Sequence, residues 1–283
     1  MSIERPALYV VATPIGNLSD ITVRAIAVLN AVDLVLCEDS RHSSRLLDHY
    51  QISTPTRPLH DHNEAEQSPK LIAQAAENRL SYALISDAGT PLISDPGYRL
   101  VQSAIEAGVP VHAVPGPSAV VAALSVAGLK TDRFSFVGFL PASDGARNRC
   151  LHELQAEPST LVFYEAPHRI VATLKAMNGV FGGERRAVVS REMTKRFESI
   201  YRGTIRELVE VLEADKNGER GEFVIVVDGA GLSVSEAELD RVITLLLEVV
   251  DRKEATRLTT EITGERKNRV YARILELSRS DSR

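Results

Sequence analysis

The strongest constraint on this chain is the run Ser86–Gly97, which holds two glycines, two prolines and two aspartates. It follows the apolar segment Tyr82–Ile85, typical of a short buried strand, and precedes Tyr98–Ala107, whose pattern predicts a helix closed by Gly108. Ligands bind at the carboxyl edge of the strands in open α/β sheets, and Gly89 allows a backbone to approach a ligand closely. The run therefore predicts a ligand-binding loop, with an ordinary strand-to-helix turn as the alternative.

The composition is that of a folded protein long enough for two domains and a small third element. The 283 residues are 44% hydrophobic and 25% charged, and the net charge is −5, so any contact with nucleic acid needs a local basic surface. Cys37 and Cys150 do not form a disulfide framework, and we expect both thiols to be reduced. Because no apolar run approaches bilayer length and Met1–Pro6 lacks a secretory pattern, we expect a cytoplasmic protein with no membrane partner.

The first part of the chain alternates short apolar strands with helices. Besides the strand before Ser86, the strand patterns are Leu8–Ala12, Val32–Cys37 and Val111–Val114. A helix is predicted over Asp20–Leu29 with Ser19 or Asp20 as its cap. This alternation predicts a parallel sheet covered on both faces. Pro115–Ser118 then breaks the pattern, and we place the end of an N-terminal α/β domain at residue 117.

A second α/β domain, residues 118–231, is expected to hold a mixed sheet. Its strand patterns are Phe134–Phe139, Leu161–Tyr164, Ala187–Arg191, Glu198–Arg202 and Phe223–Val227. Few helical patterns lie between them, and the segment 187–202 has room for a hairpin.

The remainder, residues 232–283, is helical in pattern. Two apolar helical repeats flank Gly264, which is the spacing of a helix-turn-helix. Between Arg252 and Arg273 there are seven Lys or Arg and three Asp or Glu, a local charge of +4. This basic patch favours contact with RNA, although a charged, solvated helical pair packed on the second domain is the alternative.

Several segments together resemble the tetrapyrrole methylase superfamily, and most nearly its branch that methylates ribose in bacterial 16S ribosomal RNA. The segments occur in one collinear order from Leu8 to Gly229. They are Tyr9–Leu18, Glu38–Arg41, His60–Glu64, Ser86–Gly97, Val114–Ala119, Phe163–Arg169 and Arg191–Lys195. The family more often has Thr, Ser and Leu where this chain has Ser40, Ala166 and Met193, and none of these differences removes a charge.

The resemblance implies two α/β domains with a cleft that binds S-adenosylmethionine, in an enzyme that is usually a homodimer. It implies methyl transfer to the ribose 2′-hydroxyl of a decoding-centre cytidine, cytidine 1402, of 16S rRNA in the small ribosomal subunit. No metal and no DNA partner is expected. Two alternatives remain: methylation of a tetrapyrrole or another small molecule, and a non-catalytic RNA-binding module of the same fold.

The family motifs imply ten donor contacts through backbone and apolar groups, which suit a mostly apolar pocket. They are Pro14, Ala88, Gly89, Thr90, Ile93, Ser118, Ala119, Glu165, Met193 and Phe223. For Ile93, Met193 and Phe223 the alternative is plain core packing.

The hydroxyl that accepts the methyl group must lose its proton, and the candidates for this step are Glu38, Asp39, Glu192 and Lys195. Asp39 follows a predicted strand, with a local ion pair to Arg41 as the alternative. Lys195 serves as a base only if burial lowers its pKa, and contact with a phosphate is the other role for it.

Positive side chains are expected to contact the RNA phosphates. The set is Arg41, His168, Arg169, Arg191, Lys253, Arg266 and Lys267, with Lys195 in addition. The alternating histidines of His60–Glu64 lack the third and fourth ligands of a zinc site, so we expect substrate contacts there, or a loop stabilised by Asn63 and Glu64.

Overall fold

The computed structural model describes residues 3–215, 220–230, 236–265 and 267–280. The chain divides into two compact units. The first contains Met1–His152 with Thr160–Asp228, and the second contains Glu153–Ser159 with Gly229–Arg283.

The first sheet of unit 1 has five parallel strands in the order β3-β2-β4-β1-β5. The strands are β1 (Ala7–Val11), β2 (Leu34–Cys37), β3 (Thr56–Pro58), β4 (Ser81–Ile85) and β5 (Val111–Val114). Four helices accompany them: α1 (Val23–Ala31), α2 (Ser40–His49), α3 (Glu64–Asn78) and α4 (Tyr98–Glu106). Tyr9 and Val11 pack in one apolar cluster with α1 and α2, whereas Leu8 packs in another with α3 and α4. The predicted parallel sheet, covered on both faces, is confirmed.

One helix starts later than predicted, and one strand has no counterpart among the predicted strands. Leu18–Asp20 forms a separate 3-10 turn, and α1 begins only at Val23. Its cap is Thr22, whose side chain accepts a hydrogen bond of 3.1 Å from the Ala25 amide, so the predicted Ser19 or Asp20 cap is wrong. Strand β3 was missed because its three residues are exposed and carry no apolar pattern.

The second sheet is mixed, as predicted, with the order β6-β7-β10-β8-β9. Its strands are β6 (Phe134–Phe139), β7 (Thr160–Glu165), β8 (Arg186–Arg191), β9 (Ser199–Thr204) and β10 (Phe223–Val227). β6 and β7 are parallel, and the other neighbours are antiparallel, including the β8–β9 hairpin. The helices are α5 (Ala119–Ala127), α6 (Asp144–Glu153), α7 (Ile170–Phe181) and α8 (Ile205–Ala214).

The break at Pro115–Ser118 lies where the chain leaves the first sheet. Helix α5 follows at once, and its buried residues Val120, Ala123 and Leu124 pack in one cluster with Val188 of β8 and other residues of the second sheet. Both sheets nevertheless belong to the same compact unit. The division at residues 117 and 231 stays a prediction.

Unit 2 contains three helices, α9 (Glu236–Leu247), α10 (Arg252–Thr263) and α11 (Lys267–Ser280). Gly264 ends α10 with a φ of 68°, which is the expected glycine turn. The three helices share an apolar core, made of Leu239, Ile243, Ala255, Val270 and Ile274.

Helix α10 buries threonines and leaves one large apolar side chain exposed. Ile262 is 63% exposed, whereas Thr256, Thr259 and Thr263 are buried. Two of the buried hydroxyls bond to the carbonyl four residues earlier, so these threonines are partly satisfied within the helix. No helix among the described residues combines the length and apolar character needed to cross a membrane.

Candidate active site

A crevice of about 380 Å³ opens in unit 1 where segments of the two sheets meet. The Asp87–Asp95 loop after β4 forms one side, and the start of α5 continues it. Residues of β7, β10 and the loop after β8 form the other side. We call this the crevice, and it is lined by Ile15, Asp87, Ala88, Gly89, Thr90, Ile93, Ser94, Asp95, Ser118, Ala119, Phe139, Tyr164, Glu165, Ala166, Pro167, Met193, Glu222, Phe223 and Val224.

Nine of the ten residues predicted to contact the donor line this crevice. The exception is Pro14, which lines a second cavity together with Gly16 and Lys195. This side cavity shares Ile15, Asp87, Ala88 and Glu222 with the crevice. The motifs are therefore brought together by the fold, although they are spread over more than half of the sequence.

Gly89 is held in a conformation that suits its predicted role. Its φ is 83°, and its backbone exchanges two hydrogen bonds with Thr13, of 2.8 and 3.1 Å. A Cβ at this position would lie 3.3 Å from Cγ2 of Ile15. The Thr90 hydroxyl donates to the Pro117 carbonyl at 3.1 Å. The loop is thereby tied to the loops after β1 and β5.

Left-handed backbone conformations occur on both sides of the crevice. Leu92 and Ser94, on either side of Ile93, have φ of 73° and 65°. Glu192 and Thr194, on either side of the crevice residue Met193, have φ of 51° and 65°. Non-glycine residues adopt such angles only where the surrounding structure enforces them, and such strain concentrates at functional sites.

Core packing is the alternative role for Ile93, Met193 and Phe223, and the burial of the three side chains differs. Ile93 is 39% exposed, so it is not a core residue. Met193 and Phe223 are buried and also line the crevice, and Met193 packs in the apolar cluster of the second sheet. These two therefore serve as core and wall together.

The His60–Glu64 segment anchors the far end of the Ser86–Gly97 run. Glu64 is 5% exposed, and its Oε1 accepts hydrogen bonds from the amides of Gly97, Arg99 and Leu100, at 3.1, 2.7 and 3.2 Å. Gly97 has no side chain to cap α4, so this carboxylate from α3 takes that place. The expected loop stabilisation by Asn63 and Glu64 matches these contacts, because Asn63 also accepts from the His60 amide at 2.9 Å.

Replacing Glu64 with alanine is expected to lower the free energy of unfolding by about 2–4 kcal/mol, because three helix-end amides lose a buried charged partner. Urea unfolding followed by circular dichroism measures this change. Glu66→Ala is the matched control, since Glu66 is an exposed glutamate of the same helix paired with Lys70. Equal losses of unfolding free energy in the two variants would show that Glu64 contributes no more to stability than an exposed glutamate.

Four acidic side chains line the crevice, namely Asp87, Asp95, Glu165 and Glu222. Burial raises the pKa of Asp95 to about 6, helped by the nearby charges of Glu38 and Asp87 and opposed by a hydrogen bond from Ser86. Tyr164 lies nearby, and burial together with the charge of Asp95 raises its pKa to about 12. Asp95 is thus a crevice carboxylate that titrates close to neutral pH.

The four predicted proton acceptors do not appear among the residues that line the crevice. Asp39 caps α2 through the Arg41 amide at 2.8 Å and forms an ion pair of 3.3 Å with the Arg41 side chain, which was the alternative. Hydrogen bonds from Arg41 lower the pKa of Asp39, which makes it a weaker base. Burial raises the pKa of Glu38, whose neighbours include Asp87 and Asp61.

Lys195 does not meet the condition set for a base. Its Nζ lies 2.8 Å from Glu192 and 2.9 Å from Glu222. Burial by itself lowers the pKa of Lys195, but the hydrogen bonds to the two carboxylates outweigh it, so the pKa is raised and the amine stays protonated. For Glu192, burial by itself raises the pKa. The hydrogen bonds from Lys195 and the Glu222 amide outweigh this effect, so the pKa of Glu192 is lowered.

Two of the arginines predicted to contact RNA are held in ion pairs within unit 1. Arg169 is paired with Glu165 at 3.2 Å and donates to the carbonyls of Leu140 and Pro141. Arg191 is paired with Asp215 at 3.0 Å. Both side chains are largely buried, so sequence reasoning missed their structural role.

The other predicted RNA contacts are more accessible. Arg41 is 92% exposed, and His168, Lys253 and Lys267 are exposed as well. Arg266 lies outside the described residues.

Ten of the nineteen crevice residues were not among the predicted donor contacts, and they include Asp95, Phe139 and Tyr164. Asp95 belongs to the same glycine- and proline-rich run as Gly89, and its presence there was the available signal. Phe139 is the last residue of β6 and Tyr164 is the last but one of β7, where a strand pattern gives no sign that the side chain faces a ligand site.

This two-sheet fold is shared with solved structures of other proteins. The uroporphyrin-III C-methyltransferase from Thermus thermophilus aligns with a TM-score of 0.54 at 23% identity, over 81% of this chain and 97% of that one. A diphthine synthase aligns with a TM-score of 0.58 at 16% identity, over 78% and 89%. The family model described as "Tetrapyrrole (Corrin/Porphyrin) Methylases" matches residues 7–209, and the chain therefore belongs to this family, whose methyl donor is S-adenosylmethionine.

Curated relatives match this chain over nearly its whole length. A Pseudomonas aeruginosa protein named ribosomal RNA small subunit methyltransferase I is 50% identical over 273 residues, 95% of this chain and 96% of that protein. The Escherichia coli O157:H7 protein of the same name is 45% identical over 271 residues, 95% and 94%. A second model, "RsmI C-terminal HTH domain", matches residues 233–278.

Proposed function

We propose that this protein is an S-adenosylmethionine-dependent methyltransferase of small-subunit ribosomal RNA, acting on the ribose 2′-hydroxyl of the decoding-centre cytidine 1402 of 16S rRNA. The observation that carries the proposal is the similarity, at 45–50% identity across nearly the whole chain, to the two named relatives. The match of the C-terminal helices to a domain model named for the same enzymes supports it.

The crevice fits the donor in size and in lining. Its volume of about 380 Å³ falls in the range of small-molecule sites, about 300–1,000 Å³. Ile15, Ile93 and Met193 supply apolar walls, and Asp87 and Asp95 supply negative charge that suits a cationic sulfonium. Gly89 leaves the loop backbone open to approach. We therefore assign the nine lining residues to the donor, with Pro14 at the edge of the side cavity.

The bound donor supplies a methyl group on a positively charged sulfur. The chain must then place the acceptor hydroxyl in line with that methyl, and such positioning is worth roughly 7–11 kcal/mol of the barrier. The loops fixed by the Thr13–Gly89 bridge and by Glu64 provide the rigidity that positioning needs. We assign the proton of the ribose hydroxyl to a carboxylate oxygen of Asp95, a crevice acid whose pKa is raised to about 6.

The unpaired cations of unit 2 are proposed to contact RNA phosphates. Arg257 and Arg273 are held in ion pairs within the unit, with Glu254, Glu261, Asp240 and Glu276. Lys253 and Lys267 are exposed, and no described residue forms an ion pair with either. They are therefore available to phosphate, whereas the paired arginines stabilise the helices.

The double change Lys253→Ala with Lys267→Ala is expected to weaken binding to 30S subunits by about tenfold and to reduce the slope of log affinity against log salt by roughly 1–2. Donor affinity should not change, because unit 1 holds the crevice. Filter binding at several salt concentrations measures the slope. Lys70→Ala is the control, since it removes one exposed charge from unit 1. An unchanged slope in the double variant would contradict phosphate contact by these lysines.

The proposed activity is tested by incubating the protein with methyl-labelled S-adenosylmethionine and 30S particles from cells that lack the modification. We expect label on ribose in 16S rRNA, found by nuclease digestion and mass spectrometry. Labelling of a uroporphyrinoid instead would establish the small-molecule alternative. RNA binding without donor binding in calorimetry would establish the non-catalytic module. We further propose that the enzyme is a cytoplasmic homodimer, which light scattering of the purified protein checks.

A further inference from the structure

An aromatic side chain stands exposed at the crevice. Phe139, the last residue of β6, lines the crevice and is 55% exposed. Single exposed apolar side chains are common on protein surfaces, so the informative feature of Phe139 is its position in the lining of the crevice. Ile93, also exposed, lines the same crevice, so the apolar surface there includes more than one residue.

The local backbone is built to present this ring. The pairing of β6 with β7 shifts register between Phe136 and Gly138, immediately before Phe139. Gly138 has a φ of 76°, and a Cβ there would lie 3.2 Å from Oγ of Ser94, on the crevice loop. Bulges of this kind re-aim side chains and are frequent beside active sites. The irregularity therefore accounts for the position of Phe139 at the crevice instead of in the sheet core.

A second aromatic residue supports the ring. Tyr164 of β7 contacts Phe139 edge to face, with centroids 5.6 Å apart and planes at 62°. Tyr164 also contacts Phe136, at 4.9 Å and 67°. Tyr164 is partly buried within β7, and Phe139 packs against it with more than half of its own surface still exposed. This arrangement leaves aromatic surface available to another flat group.

We propose that Phe139 is the stacking surface for the unpaired base of the nucleotide that is methylated. This inference rests on the proposed function and deepens it by naming how the acceptor is held. A ribose hydroxyl can enter the crevice only if its own base lies close by, one glycosidic bond away. Single-stranded RNA is recognised mainly by stacking of splayed-out bases on aromatic side chains. The base therefore stacks on Phe139 while the ribose faces Asp95.

Substitution of Phe139 tests this role. Alanine should lower kcat/KM for 30S subunits about 5- to 150-fold, the effect of losing one stacked base at about 1–3 kcal/mol. Phe139→Trp and Phe139→Tyr should keep most of the activity, and Phe139→Leu should lose most of it, because stacking needs a π-face. Donor affinity by calorimetry should be unchanged in all four variants. Phe134→Ala is the matched control, since Phe134 is a 46% exposed phenylalanine of the same strand that does not line the crevice.

The outcomes separate this inference from the proposed function. If the wild-type protein labels 16S rRNA and Phe139→Ala labels it equally well, the stacking role is wrong and the proposed function stands. If Phe139→Ala weakens the donor as much as the RNA, the residue is a donor wall and the inference is overturned. Loss of the dimer in Phe139→Ala by light scattering would show that a second copy covers the ring. Without any rRNA labelling by the wild-type protein, the proposed function itself fails.

Discussion

Replacing Asp95 with asparagine is expected to slow methyl transfer by about 10²- to 10⁴-fold, the usual contribution of a positioned general base. Asparagine keeps the shape of the side chain but cannot accept the proton. Donor affinity should change by less than about tenfold, because Asp87 and the apolar walls remain. Single-turnover labelling of 30S subunits, with donor binding by calorimetry, measures the two effects separately.

The pH dependence gives this prediction a distinctive signature. Asp95 must be ionised to accept a proton, and its pKa is raised to about 6. The single-turnover rate of the wild-type protein should therefore fall about tenfold per pH unit below about pH 6 and level off above it. Asp95→Asn should lose this step. A step of the same position in the variant would assign it to another group.

The same substitution should stabilise the fold. A carboxyl group whose pKa is higher in the folded than in the unfolded state favours folding at low pH, and this advantage is lost as the pH rises from about 4 to about 6. Above about pH 6 the ionised Asp95 destabilises the folded state. Removing its charge should therefore raise the free energy of unfolding by about 1–2 kcal/mol, a value reduced for solvent screening. A gain in stability with a loss of activity is typical of catalytic positions.

Asp39→Asn is the matched control for Asp95→Asn. Asparagine is as good a helix cap as aspartate, so α2 should be preserved and only the ion pair with Arg41 is lost. We expect less than about threefold loss of rate, since exposed ion pairs contribute little. A large loss in Asp39→Asn with little effect of Asp95→Asn would return the catalytic role to the residue that the motif first indicated.

The sheets were predictable because their strands are short apolar runs with clear boundaries. Val111–Val114, Phe134–Phe139 and Phe223–Val227 were placed to the residue. The misplaced start of α1 shows the limit, since Ser19, Asp20 and Thr22 are all good caps by type. Only tertiary contacts decide which of these residues caps α1. In α10 the buried threonines likewise depend on the neighbouring helices, not on their own hydropathy.

The Asp87–Asp95 loop at the crevice could be predicted because glycine and proline restrict the backbone in ways that sequence reveals. The left-handed backbone conformations at the crevice could not be predicted, because they are imposed by surroundings distant in sequence. They occur at Leu92, Ser94, Glu192 and Thr194. The protonation states of charged side chains also depend on residues distant in sequence. The raised pKa of Lys195 depends on Glu192, three residues away, and also on Glu222, which lies 27 residues further along the chain. Motif residues are thus identifiable by type, whereas their protonation needs the fold.

Replacing Gly89 with valine is expected to abolish measurable donor binding, a loss of at least about 100-fold in affinity. At a φ of 83° a β-branched residue is strained by roughly 1–3 kcal/mol. The new Cβ would lie 3.3 Å from Cγ2 of Ile15, and the two further methyl groups must occupy space beside that crevice wall. Calorimetry with S-adenosylmethionine measures the affinity, and circular dichroism confirms that the variant is folded.

Gly108→Val separates crevice filling from backbone strain. Gly108 has a similar φ of 67°, but nothing lies within 4 Å of the position of a Cβ there. It follows α4 and does not line the crevice. Gly108→Val should therefore lose stability by about the same amount as Gly89→Val and keep its donor affinity. If both variants bind the donor as the wild-type protein does, the backbone of Gly89 does not approach the ligand, and the crevice must hold it elsewhere.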